Sequence, residues 1–473
     1  MRESNRLQRL EISVLRKYLP EILTTIVVLL YYLTTPVLFN YTDGIVFATS
    51  HIDALYPHYP LLYPLLTQTL VFLTESFCDT VKGMQLLQLF LVWLSLLYTI
   101  NSFSVRKKWQ VTITLLLFTP IIVFQLGPGT ESLFISGQLF FLSSFLRILQ
   151  NRARWDVVVH LSALLLMLSA RHTGIIIASF PFIFLGLKWL KDKTKKNFLP
   201  ILKLGGAYGV IYLCLTVVNT GATFALGSTK VPLYGRPAMH IISVILENID
   251  NKEEYDRLIS AWRSQANDEF DLKLQECIVE AGNIWMGPRM CLEEYVNHKY
   301  PYFLRQKKRT FIDQHLNDVY IQFLATGDKH IYQYFVGAFM HFLPGYSDAV
   351  NSYIDSHNNF FKDNPANSVW RCETDRNENK LFFVRLAGVV EQLFTGIGFC
   401  MMIWMWIFRY RLLRNKLLCF SLALMLFLHV IVLTLFTCYL SRYTIPNTII
   451  LIFIGLLLLP EQLYFRQFFK KIR

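Results

Sequence analysis

Apolar runs dominate this chain and limit what it can become. Roughly ten stretches are long enough to cross a bilayer as helices, which takes about 17–25 mostly apolar residues. They fall near 20–39, 84–104, 109–126, 132–149, 156–170, 174–190, 199–219, 385–408, 417–438 and 447–465, the fifth and sixth being short. Of the 473 residues, 53% are hydrophobic and 17% charged, which excludes an ordinary soluble domain. The expectation is an all-α polytopic membrane protein of about ten transmembrane helices. A mainly helical extracytoplasmic domain stands between spans seven and eight.

Lysine and arginine then orient the chain, because they collect on the cytoplasmic side of short connections. Alternate connections and the two termini carry 24 of them; the opposite short connections carry three, Lys82, Arg171 and Arg442. Both termini are therefore expected in the cytoplasm. The organisation that follows is an N-terminal bundle over 1–218 with its first outer loop at 40–83, an outer domain over 219–384, and a C-terminal part over 385–473 with three spans. The first span lacks a cleavage pattern and is expected to stay in the membrane.

The formal charge of +13 needs no nucleic acid. The long segment is slightly acidic, so the excess sits at cytoplasmic helix ends, where anionic headgroups suffice to explain it. Within that segment, "AMHIISVILENI" and "EEYDRLISAW" place apolar residues three and four apart, as amphipathic helices do. The pattern predicts mainly helix over 238–335 and a mixture of loop and short helices over 336–380. The run "YPLLYPLLTQTLVFL" at 59–73, broken by Pro60 and Pro64, predicts a helix lying in the outer interface rather than an eleventh span.

Eight cysteines show no metal-ligand spacing. Cys214, Cys400 and Cys419 fall in spans and are expected to pack. Cys277, Cys291 and Cys372 lie where an oxidising compartment would permit a disulfide, whose pairing stays open.

Polar residues that apolar spans do not need all arrive on one side. Asp43, Asp53 and His58 follow span one, Glu131 precedes span four, Arg171 and His172 separate spans five and six, and Arg442 and Tyr443 precede the last span. Arg236 and His240, in "YGRPAMH", open the outer domain. Each has an ordinary explanation as well. Aspartates cap helices, Glu131 complements a helix dipole, and arginines snorkel to headgroups. Yet ionisable groups held at the membrane surface are costly unless paired or facing a wet cavity, which makes function the leading reading. Guanidinium forks match phosphate oxygens, and a carboxylate beside them can take a proton from an attacking hydroxyl. Together these describe sugar transfer from a polyprenyl phosphate.

In order along the chain, these residues resemble the GT-C glycosyltransferases, polytopic enzymes that use lipid-linked sugars on the outer or lumenal face. The likeness is carried by Asp43 in "NYTDG", the run "YPHYPLLYPLL" at 56–66, Glu131 in "GPGTES", Arg171 in "SARHTG", Arg442, Tyr443 and Pro446 in "SRYTIP", and "FMHFLPGYSD" at 339–348. Gly44 replaces the second member of the Asp-Glu pair of the protein mannosyltransferase and aminoarabinose transferase branches. The resemblance implies Asp43 as base, with Asp53 next in line or on the acceptor path. Arg171 and Arg442 would hold the donor phosphate, and His58, Glu131, His172, Arg236, His240 and Tyr443 would contact substrate. The partners implied are a polyprenyl-phosphate sugar, a glycan or lipid acceptor, and membrane lipids. No cofactor is expected; a divalent cation between Asp43 and Glu131 is the alternative. An O-antigen-type polymerase and a flippase of lipid-linked saccharide are the rival functions. Localisation is expected in a bacterial inner membrane. The closing "KKIR" makes the endoplasmic reticulum the alternative, where the sequon "NYT" at 40–42 would also have meaning.

Overall fold

The computed structural model describes residues 18–30, 33, 62–74, 76–105, 107–124, 131–150, 154–171, 173–192, 195–226, 235–281, 287–301, 305–343, 407, 416–436 and 445–458. All regular structure among these residues is helical. The helices are α1 (Tyr18–Leu30), α2 (Leu62–Leu73), α3 (Phe77–Ser102), α4 (Lys108–Phe124), α5 (Glu131–Leu149), α6 (Trp155–Ala170), α7 (Gly174–Ala178), α8 (Phe180–Asp192) and α9 (Lys195–Leu226). Then come α10 (Gly235–Glu247), α11 (Lys252–Arg263), α12 (Glu269–Ala281), α13 (Gly287–Lys299), α14 (Arg305–Ala325), α15 (Lys329–Phe342), α16 (Lys416–Phe436) and α17 (Ile445–Leu458).

Among the described residues, five stretches are long and apolar enough to cross a membrane: Asp79–Ser102, Ser132–Leu149, Gly174–Lys191, Leu199–Ala222 and Lys416–Leu435. Helices also occupy the positions expected for spans one, three, five and ten; the run at 385–408 lies outside the described residues. The sixth span runs on through Ser179, which is itself helical (φ −70°, ψ −18°) between α7 and α8. Two boundaries differ from expectation. The seventh runs from Lys195 to Leu226, so the domain boundary expected at 219 falls inside a helix. Finally, α15 continues to Phe342, carrying regular helix past the expected limit at 335 because Ile331, Tyr334, Ala338 and Phe342 keep one buried stripe.

Helix α2 has 12 residues, about 18 Å of rise, too short for a hydrocarbon core of about 30 Å. It packs against α3 and α6 and leaves Phe72 and Leu73 exposed. Exposure along α9 is the opposite of what water would tolerate. None of the Leu199–Ala222 window is buried, and Val210, Tyr212, Leu213, Val217 and Val218 stand outward. A helix apolar on all sides belongs in lipid. Cys214 is accordingly exposed rather than packed, whereas Cys419 on α16 is buried as expected.

Two hydrophobic cores organise the chain. One unites α1, α3 to α8, α16 and α17. Its centre is α17, all 14 of whose residues are buried. Helices α5 and α6 pack closely, and glycine allows it: a Cβ on Gly137 would lie 2.8 Å from Met167 Cγ, while a Cβ on Gly174, where the chain turns from α6 into α7, would lie 2.9 Å from the Met167 carbonyl oxygen. The second core gathers α10 to α15 and takes in Val430 and Leu433 of α16, so the helical domain of the long segment rests on the C-terminal half of that span. Cys277 and Cys291 form a disulfide joining α12 to α13, which resolves the pairing the sequence left open; Cys372 lies outside the described residues.

Charges assemble at one end of the bundle. Lys108 Nζ donates to Glu21 and to Asn101, both at 2.6 Å. Arg147 Nε donates to Asp156 Oδ1 at 2.7 Å, which also accepts from Tyr98 at 2.6 Å. The helix ends that the charge pattern assigns to the cytoplasm (the starts of α1, α4 and α6, the ends of α3 and α5) therefore do meet. Pairing lets buried ions persist at that interface.

Candidate functional site

At the other end of the bundle, polar groups converge on the first turn of α17. Pro446 at its second position suits a helix start, since it has no N–H to satisfy. Gln138, two turns into α5, sends Nε2 to the Pro446 carbonyl oxygen at 2.8 Å. Next to it, Asn447 bridges two elements. Its Nδ2 donates to the Phe342 carbonyl oxygen at 2.9 Å, at the very end of α15. Its Oδ1 lies 2.5 Å from Nδ1 of His429 on α16. All three polar side chains are buried. Three helices thus clamp two consecutive residues of the last span, one of the three coming from the helical domain.

Arg171 belongs to the same end. It terminates α6 in an extended conformation, φ −147° and ψ 142°, with its N–H on the Met167 carbonyl oxygen. The helix it leads into, α7, packs against α16, which carries His429. The turn is fixed by Gly174, whose N–H donates to the Arg171 carbonyl oxygen at 3.1 Å and whose lack of a side chain lets the chain pass Met167.

Of the residues expected from the sequence, Arg171 lies at the end of the bundle where α17 begins. Arg442, Tyr443, Asp43, Asp53, His58 and His172 lie outside the described residues. Glu131 opens α5, about 10 Å of helix rise before Gln138. Arg236 and His240 sit on α10, which packs on α15; His240 is half-buried between the core residues Met239 and Ile241. On α15 itself, burial pushes the His341 imidazole below its ordinary value.

Sequence reasoning passed over Gln138, His429 and Asn447. The signal that would have found them is polarity inside apolar runs, where each such group demands a partner.

The described residues also contain one group of metal-ligand types within 4.8 Å of one another, Asp268, Asp271 and His315, in the helical domain. Asp271 is already engaged: it accepts from Gln322 at 2.7 Å, from the Asn267 N–H at 3.0 Å, and lies 3.0 Å from His315 Nδ1. Such an arrangement holds α12 against α14 without an ion. The pairing of Asp43 with Glu131 around a cation falls outside the described residues.

No known protein family, curated protein or solved structure matches this chain.

Proposed function

We propose that this chain is a membrane glycosyltransferase of GT-C type, moving a sugar from a polyprenyl-phosphate donor to a hydroxyl acceptor on the outer or lumenal face. The observation that carries the reading is the convergence on the first turn of α17. Arg171 ends α6 at the same end of the bundle where α17 begins, opposite the end where Lys108 pairs with Glu21 and Arg147 with Asp156. A guanidinium at that mouth suits a lipid phosphate, since its fork offers two charge-assisted hydrogen bonds.

In this reading the lipid tail stays in the bilayer, and the exposed apolar flank of α9 supports a chain seated there. Arg171 and Arg442 hold the phosphate as it leaves C1 of the sugar. Asp43 removes the proton from the acceptor hydroxyl, and the oxygen attacks from the opposite side with inversion. Asp53 lines the acceptor path. A disulfide between Cys277 and Cys291 agrees with a helical domain in an oxidising compartment, on the face where the chemistry is placed. A bacterial inner membrane is the proposed location.

The test is mass spectrometry of glycolipids and surface polysaccharide from cells with and without the gene. Loss of one sugar from an otherwise intact glycan supports transfer. Shortened chains of unchanged composition would make the protein a polymerase instead, and accumulation of a complete lipid-linked saccharide a flippase.

A further inference from the structure

His429 has a determined hydrogen-bond direction that follows from its neighbours one at a time. The Phe342 carbonyl oxygen can only accept, so the Asn447 group facing it at 2.9 Å is the NH2. Its amide oxygen therefore faces Nδ1 of His429. An amide oxygen can only accept, so Nδ1 carries the hydrogen. In the neutral ring the other nitrogen, Nε2, is then a lone pair. That nitrogen is buried and has no hydrogen-bond partner among the described residues. A backbone carbonyl, an amide and an imidazole in series thus hold one acceptor in place inside an apolar span, where leaving it unpaired is costly.

The chemistry of a fitting partner is narrow. It must donate a hydrogen bond. Arg171, three residues before the helix α7 that packs against α16, disfavours a cationic donor and favours an anion alongside. A neutral hydroxyl on a molecule that also carries a negative group meets both conditions. We infer that Nε2 of His429 accepts a hydrogen bond from a sugar hydroxyl of a phosphorylated sugar whose phosphate lies toward Arg171, making His429 a sugar-recognising residue. That the sugar is lipid-linked rests on the transferase reading above; the direction of the hydrogen bond does not.

The experiment uses the full chain in lipid nanodiscs with isotopically labelled histidine, the His429 signals being assigned by their loss in His429→Gln. Three probes are compared: a polyprenyl-phosphate hexose, bare polyprenyl phosphate, and a soluble hexose 1-phosphate. Nitrogen NMR is expected to show hydrogen on Nδ1 and none on Nε2. The sugar lipid should shift Nε2 and bare polyprenyl phosphate should not. His429→Leu should weaken the sugar lipid about tenfold, as loss of one hydrogen bond does, with bare lipid unchanged, and His429→Gln, which restores an acceptor oxygen, should recover most of the loss. A shift from hexose 1-phosphate but not from the sugar lipid would uphold the acceptor role and overturn the lipid-linked donor. Hydrogen on Nε2, or equal weakening of both lipids by His429→Leu, would overturn the inference. So would an Nε2 left unmoved by the sugar lipid while bare lipid binds, which leaves the phosphate site standing and makes a trapped water the partner. Binding of none of the three probes would overturn both readings.

Discussion

Asn447 and His429 hydrogen-bond side chain to side chain inside the bundle, and through Asn447 the same bond continues to the last carbonyl of α15. The position of the final span is thereby tied to that of the helical domain. A double-mutant cycle on Asn447→Leu and His429→Leu should give a coupling of about 0.6–2 kcal/mol, the range for polar contacts between membrane helices. Thermal unfolding in nanodiscs measures it, and strict additivity would mean the pair contributes nothing.

Arg171→Ala should weaken use of the lipid donor by the loss of a charge-assisted contact, about 1.5–3 kcal/mol. Arg171→Lys should restore part of it, because a point charge lacks the fork. Donor titrations of the purified variants decide this. Unchanged donor dependence in both would leave Arg171 a membrane anchor.

Asp43→Asn keeps shape and removes the base, so turnover should fall by about two to four orders of magnitude while donor binding survives. Asp53→Asn should act on the acceptor KM. Steady-state kinetics with both variants separate the roles, and an active Asp43→Asn beside a dead Asp53→Asn would move the base along the loop.

Gly174→Ala places a Cβ 2.9 Å from the Met167 carbonyl oxygen, a backbone atom that cannot swing away. Overpacking of this kind costs about 1–3 kcal/mol. A lowered melting temperature with a weaker donor interaction is expected, since the same turn carries Arg171. Gly186→Ala, with nothing within 4 Å of its Cβ, is the control.

Acid should loosen the helical domain through Asp271. Burial raises its carboxyl, but hydrogen bonds from Gln322, His315 and the Asn267 N–H outweigh it and hold the group below the usual aspartate value. A depressed carboxylate contributes stability above its unfolded value, about 3.9, and loses it as pH falls through the folded value. Unfolding followed from neutral pH to below 4 should show this loss, and Asp271→Asn should be less stable at neutral pH with a flatter acid limb. Reducing the Cys277–Cys291 bond, which closes a loop of separation 14, should independently cost about 3 kcal/mol.

What the sequence determined by itself is that its apolar runs become helices. Those at 132–149, 199–219 and 417–436 are helices because a run long enough to span lipid must satisfy its own backbone, and the basic residues at alternate ends predict which ends lie together. Asp156, Arg147, Lys108 and Glu21 meet where that alternation puts them. Arg171 was conspicuous as a candidate because a charge in a short connection between apolar runs stands out locally. The partners around it were not. Gln138 finds Pro446 across 308 residues and Asn447 finds Phe342 across 105. Hydrophobic periodicity says that a side chain is buried, never against which helix, and an amide inside an apolar run has the same local signature whether it staples a helix or serves a ligand. Only the tertiary structure chose between helix neighbours, through such features as the missing side chain of Gly137, which lets α5 close on α6. It did so because packing and polar pairing are settled jointly by every helix in contact, and a linear pattern holds no record of that.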